Sequence, residues 1–214
     1  EAMVTLIDQA AFAYALASER EAYVERAEYD ALTGLLSPRA LRERLTAALE
    51  RARFAPLARI ALVFVDTDRF KDWNDTYGHA GGDALLRTLA QTLRDAAPGG
   101  DELAARNGGD EFCLVFTDTE KSRAVARAQA LRRAIARLDL DAIRPAHATA
   151  RVAITASIGV AAYPADAQTP HALLERADEA MYHSKRGGRD AVSYYDAGGA
   201  LVLLAGEGAS DGDP

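Results

Sequence analysis

Six consecutive apolar residues, Ile60 to Val65, run into Asp66-Thr67-Asp68. An apolar run without alternation suits a strand buried on both faces, so the chain must lay other structure over each side of it. A carboxylate at the exit of such a strand is costly unless something pairs with it, and a metal ion is a natural partner.

A second stretch brings further acids. In Arg106-Asn107-Gly108-Gly109-Asp110-Glu111-Phe112 the Asn-Gly and Gly-Gly pairs accept the positive φ of a tight turn, which predicts a hairpin tip over Asn107 to Gly109. Leu103 to Ala105 makes a short strand before it. After it Phe112, Leu114 and Phe116 alternate with Glu111, Cys113 and Val115. On an extended chain Asp110 and Glu111 leave on opposite faces and take different jobs. By itself the turn reads as a solvated hairpin or as a seat for a cation and a phosphate.

The rest of the chain alternates helices with strands. Val4 to Glu28 lacks Gly and Pro and predicts one long helix; Leu6, Ala10, Ala13, Ala17 and Val24 fall at coiled-coil spacing, interrupted by Arg20. Such a helix either packs on its own domain or joins two copies below an upstream sensor. A turn at Asp30-Ala31-Leu32-Thr33-Gly34-Leu35 leads to Ser37-Pro38, a helix cap and first position, and to Leu41, Leu45 and Leu49. Asp68 to Tyr77 predicts a short helix with Phe70, Trp73 and Tyr77 inward and Lys71 and Asn74 on another face; Gly78 ends it. Gly81-Gly82-Asp83 opens the next helix, with Asp83 a possible cap, and Pro98-Gly99-Gly100 stops it. Further on come a helix from Glu120 to Leu138, a β-rich stretch from Arg151 to Ala161 with Gly159 as a bulge or close contact, and a helix from Pro170 to Arg186. An edge strand follows from Val192 to Tyr195, then a loosely ordered tail. This order predicts an α/β sandwich with an antiparallel hairpin, Asp66 and Asp110 meeting at one edge of the sheet.

A net charge of -7 supplies no basic face for a nucleic-acid polymer. The one cysteine, Cys113, cannot form an internal disulfide, which fits a reducing compartment and a cytoplasmic location, and it reads as core. No apolar run is long enough to span a bilayer, so no membrane contact is expected of this segment. The start at Glu1 suggests a fragment; a sensor domain, or a membrane anchor if there is one, would lie upstream.

Seven ordered motifs carry a resemblance. Asp30-Ala-Leu-Thr-Gly-Leu, Asp66-Thr-Asp-Arg-Phe-Lys-Asp-Trp-Asn74, Gly78-His79, Gly82-Asp83, Arg106-Asn-Gly-Gly-Asp-Glu-Phe112, Ser157-Ile-Gly-Val-Ala and Ala177-Asp-Glu-Ala-Met-Tyr-His-Ser-Lys185-Arg-Gly-Gly-Arg189 resemble the GGDEF domain of bacterial diguanylate cyclases. The resemblance implies a palm-like nucleotidyl-cyclase sandwich over residues 30–196, with the signature on a β-hairpin, a signalling or dimerising helix over 1–29 and a tail over 197–214. It also implies condensation of two GTP into cyclic di-GMP and two pyrophosphates across a homodimer, with two Mg²⁺ or Mn²⁺ per site.

By the same resemblance Asp66, Asp110 and the Thr67 carbonyl hold metal, and Glu111 assists catalysis or completes the site. Lys71, Lys185 and Arg189 meet the triphosphate, with Lys71 also placed among the catalytic residues. Asn74 and Asp83 meet guanine, whose adjacent N1–H and N2–H₂ donors one carboxylate can accept together. His79 reads as structural. The alternative is a catalytically silent GGDEF domain that binds GTP or cyclic di-GMP. One departure stands out: where many diguanylate cyclases carry an Arg-x-x-Asp product-binding motif, this chain has Gly99-Gly100-Asp101-Glu102.

Overall fold

The computed structural model describes residues 28–55, 57–145, 148 and 150–206. Most of the expected N-terminal helix, with its proposed seam from Leu6 to Val24, lies outside them.

The chain builds α1 (Pro38–Arg53), β1 (Ile60–Asp68), α2 (Phe70–Ala96), β2 (Leu103–Gly108), β3 (Glu111–Thr117), α3 (Lys121–Ala136), β4 (Thr155–Tyr163), α4 (Pro170–Arg186), β5 (Ala191–Tyr195) and β6 (Leu201–Ala205). One six-stranded sheet has the order β2-β3-β1-β4-β5-β6. β1 lies antiparallel between β3 and β4, and β4 and β5 are the parallel pair.

The apolar run lands where its lack of alternation requires. Every residue of β1 is buried. Ala61, Val63 and Val65 join a core with α2 and α3, while Ile60, Leu62 and Phe64 join a second core with α1 and α4. The result is the expected mixed α/β fold, a sheet between two helical layers. Gly159, opposite Phe64, lets α4 close on β4: a Cβ there would overlap backbone atoms of Ala177 and Met181. The close-contact reading of this glycine is the one that holds.

Local expectations hold at several ends and shift at others. Ser37 caps α1, its hydroxyl accepting from the Ala40 N–H at 3.2 Å. Gly78 breaks the helical geometry of α2 with φ 75°, but helix resumes directly after it. Asp83 therefore sits inside α2 and is not its cap. β4 begins at Thr155, later than the β-rich stretch suggested. β5 is not an edge strand, and residues 201–205 are not loosely ordered: β6 pairs antiparallel along β5 from Ala191↔Ala205 to Tyr195↔Leu201. Leu203 packs beside Gly187 and Leu204 joins the α3-side core, and that burial orders the segment.

Candidate functional site

The sequence-singled acids and cations meet at the end of β1. A cleft of about 900 Å³ is bordered by Asp66 and Thr67 of β1, by Asp110 and Glu111 of the hairpin, and by Lys71, Lys185 and Arg189. Cross-strand pairing sets the acids side by side, Asp66 opposite Glu111. The Thr67 N–H and hydroxyl both donate to the Asp110 carbonyl, at 3.2 and 3.1 Å, which ties the turn to the strand end.

The hairpin tip differs from expectation. The β2–β3 register shifts between Arg106 and Gly108, and Gly108 and Gly109 take φ of 155° and 50°. This moves the turn to Gly109-Asp110 and bends Asp110 off the strand. Asp110 and Glu111 consequently border one cleft, although adjacent on the chain.

Electrostatically the corner is under-neutralised. Lys185 Nζ donates to Asp66 Oδ2 at 2.6 Å. Burial, opposed by that bond and reinforced by the charges of Asp110 and Glu111, pushes the Asp66 carboxyl up to about 6. Burial also raises Asp110, with Glu111 adding to it and Lys185 and Arg106 opposing. Among the described residues no three His, Cys, Asp or Glu side chains gather into a complete metal cage. The donor set still fits a hard divalent cation, because Mg²⁺ binds through one or two carboxylates and completes its shell with water and substrate phosphate.

Asn74 and Asp83 stand on α2, apart from this acidic lining. Gly82 allows α2 to fold tightly there: a Cβ would overlap Asn74 Oδ1 and approach Phe70 Cζ to 3.3 Å. Among the described residues Asn74 Oδ1 is buried without a hydrogen-bond partner. Phe70 borders both places. His79 is exposed and lines no part of the acidic cleft.

Several residues were not singled out for the positions they hold. Asp68, two residues beyond Asp66, accepts the Thr155 and Ser157 hydroxyls at 2.7 Å each and the Asp190 N–H at 3.0 Å. Its spacing from Asp66 put it on the same face, the one available signal. Arg106 donates to the Gly109 carbonyl at 3.0 and 2.7 Å and to both Asp30 oxygens at 3.1 and 3.2 Å. Burial would raise the Asp30 carboxyl, but hydrogen bonds from Thr33 and Arg106 outweigh it and hold the group below its usual range. The turn before α1 is thereby fastened to the hairpin.

Near the missing Arg-x-x-Asp motif, Glu102 is fully engaged. Arg127 donates to both of its oxygens at 2.5 and 2.8 Å and to the Ala96 carbonyl at 2.7 Å, and stacks 3.5 Å over the Phe116 ring. Cys113 is buried, which drives its thiol pKa upward and leaves it inert core. No helix among the described residues is long and apolar enough to cross a membrane.

Comparison with known proteins places this geometry. Residues 27–191 match the model of the diguanylate cyclase GGDEF domain. The chain is 37% identical over 185 residues to the bifunctional diguanylate cyclase/cyclic di-GMP phosphodiesterase MucR of Pseudomonas aeruginosa, covering 86% of this chain and 26% of MucR. It is 36% identical over 169 residues to the response regulator PleD of Caulobacter vibrioides, covering 79% of this chain and 36% of PleD. The chain thus spans about a quarter to a third of these relatives. The coiled coil and GGDEF domain of DgcB from Caulobacter crescentus, solved with c-di-GMP, superposes with a TM-score of 0.79 at 32% identity, covering 89% of this chain and 97% of that one. The chain belongs to the GGDEF-domain family of diguanylate cyclases.

Proposed function

We propose that the domain condenses two GTP molecules into cyclic di-GMP with release of two pyrophosphates, each of two facing copies holding one GTP. The observation that carries this reading is the single cleft in which carboxylates from a strand end and a hairpin turn, Asp66 and Asp110, stand among Lys71, Lys185 and Arg189. In each half-reaction the 3′-oxygen of one nucleotide forms a bond to the α-phosphorus of the other. The bond from that phosphorus to the pyrophosphate oxygen breaks.

Lys71, Lys185 and Arg189 bind the triphosphate and offset its charge as it leaves. Asn74 and Asp83 orient guanine, Asp83 accepting its paired N–H donors. Asp66, Asp110 and the Thr67 carbonyl would hold the divalent ions, Mg²⁺ or Mn²⁺, two per site. Such ions, when bound, neutralise charge on the attacking and leaving oxygens. Glu111 completes the acidic corner or takes the proton of the attacking hydroxyl. The catalytic unit is residues 30–196, with residues 1–29 assigned to joining two copies and relaying an upstream signal.

The test is incubation with GTP and Mg²⁺ followed by separation of products by mass. Cyclic di-GMP and pyrophosphate are expected, at a rate that rises more steeply than first order in dilute protein. GTP left intact, or specific activity unchanged by dilution of a proven monomer, contradicts the reading.

A further inference from the structure

The turn between α4 and β5 carries Arg189 to the cleft, and its backbone is unusual. Arg189 and Asp190 are consecutive residues with φ of 65° and 41°. Side chains disfavour this left-handed region, and a pair of such residues persists only where the surroundings hold it. Besides α4, whose Ser184 carbonyl accepts the Arg189 N–H at 3.1 Å, three separate elements hold this pair. Asp68, at the end of β1, accepts the Asp190 N–H at 3.0 Å. Gly206, after β6, donates its N–H to the Asp190 carbonyl at 2.9 Å.

The third hold comes from the opposite helical layer. Arg132 of α3 donates from Nη1 to Asp190 Oδ1 at 2.6 Å, and its side chain is only 6% exposed. A guanidinium this deep is costly unless a carboxylate meets it, and Asp190 meets it. The approach is close: a Cβ on Gly206 would overlap both the Asp190 carboxylate and the Arg132 guanidinium. Arg132 lines no part of the acidic cleft, whereas Asp190 and Arg189 both do.

We infer that Arg132 is a positioning residue for the triphosphate: through Asp190 it fixes the left-handed turn that aims Arg189 into the cleft. This rests on the proposed phosphate role of Arg189. Without the anchor the turn samples other shapes, and apparent affinity falls in proportion to the time it spends in the competent one. A turn competent about a tenth of the time gives about a tenfold loss. Because Arg132 acts only through Arg189, its loss has no further effect once Arg189 is gone.

The experiment is a double-mutant cycle on the folded protein, reading affinity for 3′-deoxy-GTP, which lacks the attacking hydroxyl, by calorimetry with Mg²⁺. Arg132→Met and Arg189→Ala are each expected to weaken binding about tenfold, and the double variant is expected to match Arg189→Ala within about twofold. In steady state Arg132→Met raises KM more than it lowers kcat. Should Arg132→Met fail to fold, Arg132→Lys keeps the charge without the fork and is expected to lose about threefold, an effect absent in the Arg189→Ala background. Parent-like affinity in the Arg132 variants, or losses that multiply in the double variant, overturn the inference and leave the proposed function standing. Parent-like affinity in Arg189→Ala overturns the inference together with the phosphate role it rests on.

Discussion

Asp66 and Asp68 stand two residues apart on the same face of β1, yet their surroundings are opposite. Around Asp68 two hydroxyls and a backbone N–H donate to its oxygens, and Arg189 Nε stands 4.0 Å from one of them. Around Asp66 one ammonium serves a corner that also contains Asp110 and Glu111, and the carboxyl is driven up to about 6. Satisfied acids hold a fold together, whereas an acid left short of positive charge at a cleft is poised for a ligand. Glu102, gripped by the Arg127 fork, belongs with Asp68.

Substitutions can break this contrast. Asp110→Ala should leave stability within about 1 kcal/mol, as for other surface turns. Its cyclic di-GMP synthesis should fall by about three orders of magnitude or more, as when a metal site loses a carboxylate. Near-parental turnover at ordinary Mg²⁺ would remove Asp110 from the metal site. Asp83→Ser should cost roughly 2–4 kcal/mol of guanine preference, a factor of about 30 to 1,000. GTP and ATP competing at equal concentration, with the dinucleotide products separated by mass, measure it; an unchanged product ratio means guanine is read elsewhere.

The satisfied acid should behave in reverse. Asp68→Ala orphans three donors and should cost about 2–4 kcal/mol of stability, read from a urea melt. A melt matching that of Asp110→Ala would erase the contrast between the two acids. The smallest expected effect is at Glu102. With no arginine at the Gly99 position and its own carboxylate already occupied, this stretch offers cyclic di-GMP, a dianion, no guanidinium fork. Initial rates should therefore stay flat as product rises through the micromolar range. Micromolar inhibition relieved by altering residues 99–102 would overturn that expectation.

How much of this was legible follows from distance along the chain. The apolar run, the glycine turn and the helix periodicities are local; they set out the α/β layers and brought Asp66 and Asp110 to one end, while Lys185 joined them only through the family resemblance. Asp68 was not legible as a structural acid because its partners Thr155 and Asp190 are 87 and 122 residues away. The common cleft of Asp110 and Glu111 was hidden by an irregularity at Asn107 that alternation cannot foresee. Leu201 to Leu204 looked like a tail because nothing local shows that β5 has a free edge for it.

The central claim is that Asp66 and Asp110 seat a divalent cation beside the nucleotide's phosphates. Mn²⁺ binding, read by electron paramagnetic resonance in the presence of 3′-deoxy-GTP, tests it most directly. The account predicts protein-bound Mn²⁺ with the parent and with Asp83→Ser at saturating nucleotide, and a loss of at least tenfold in Mn²⁺ affinity for both Asp66→Asn and Asp110→Ala. Equal Mn²⁺ affinity in the parent and the two carboxylate variants would contradict it.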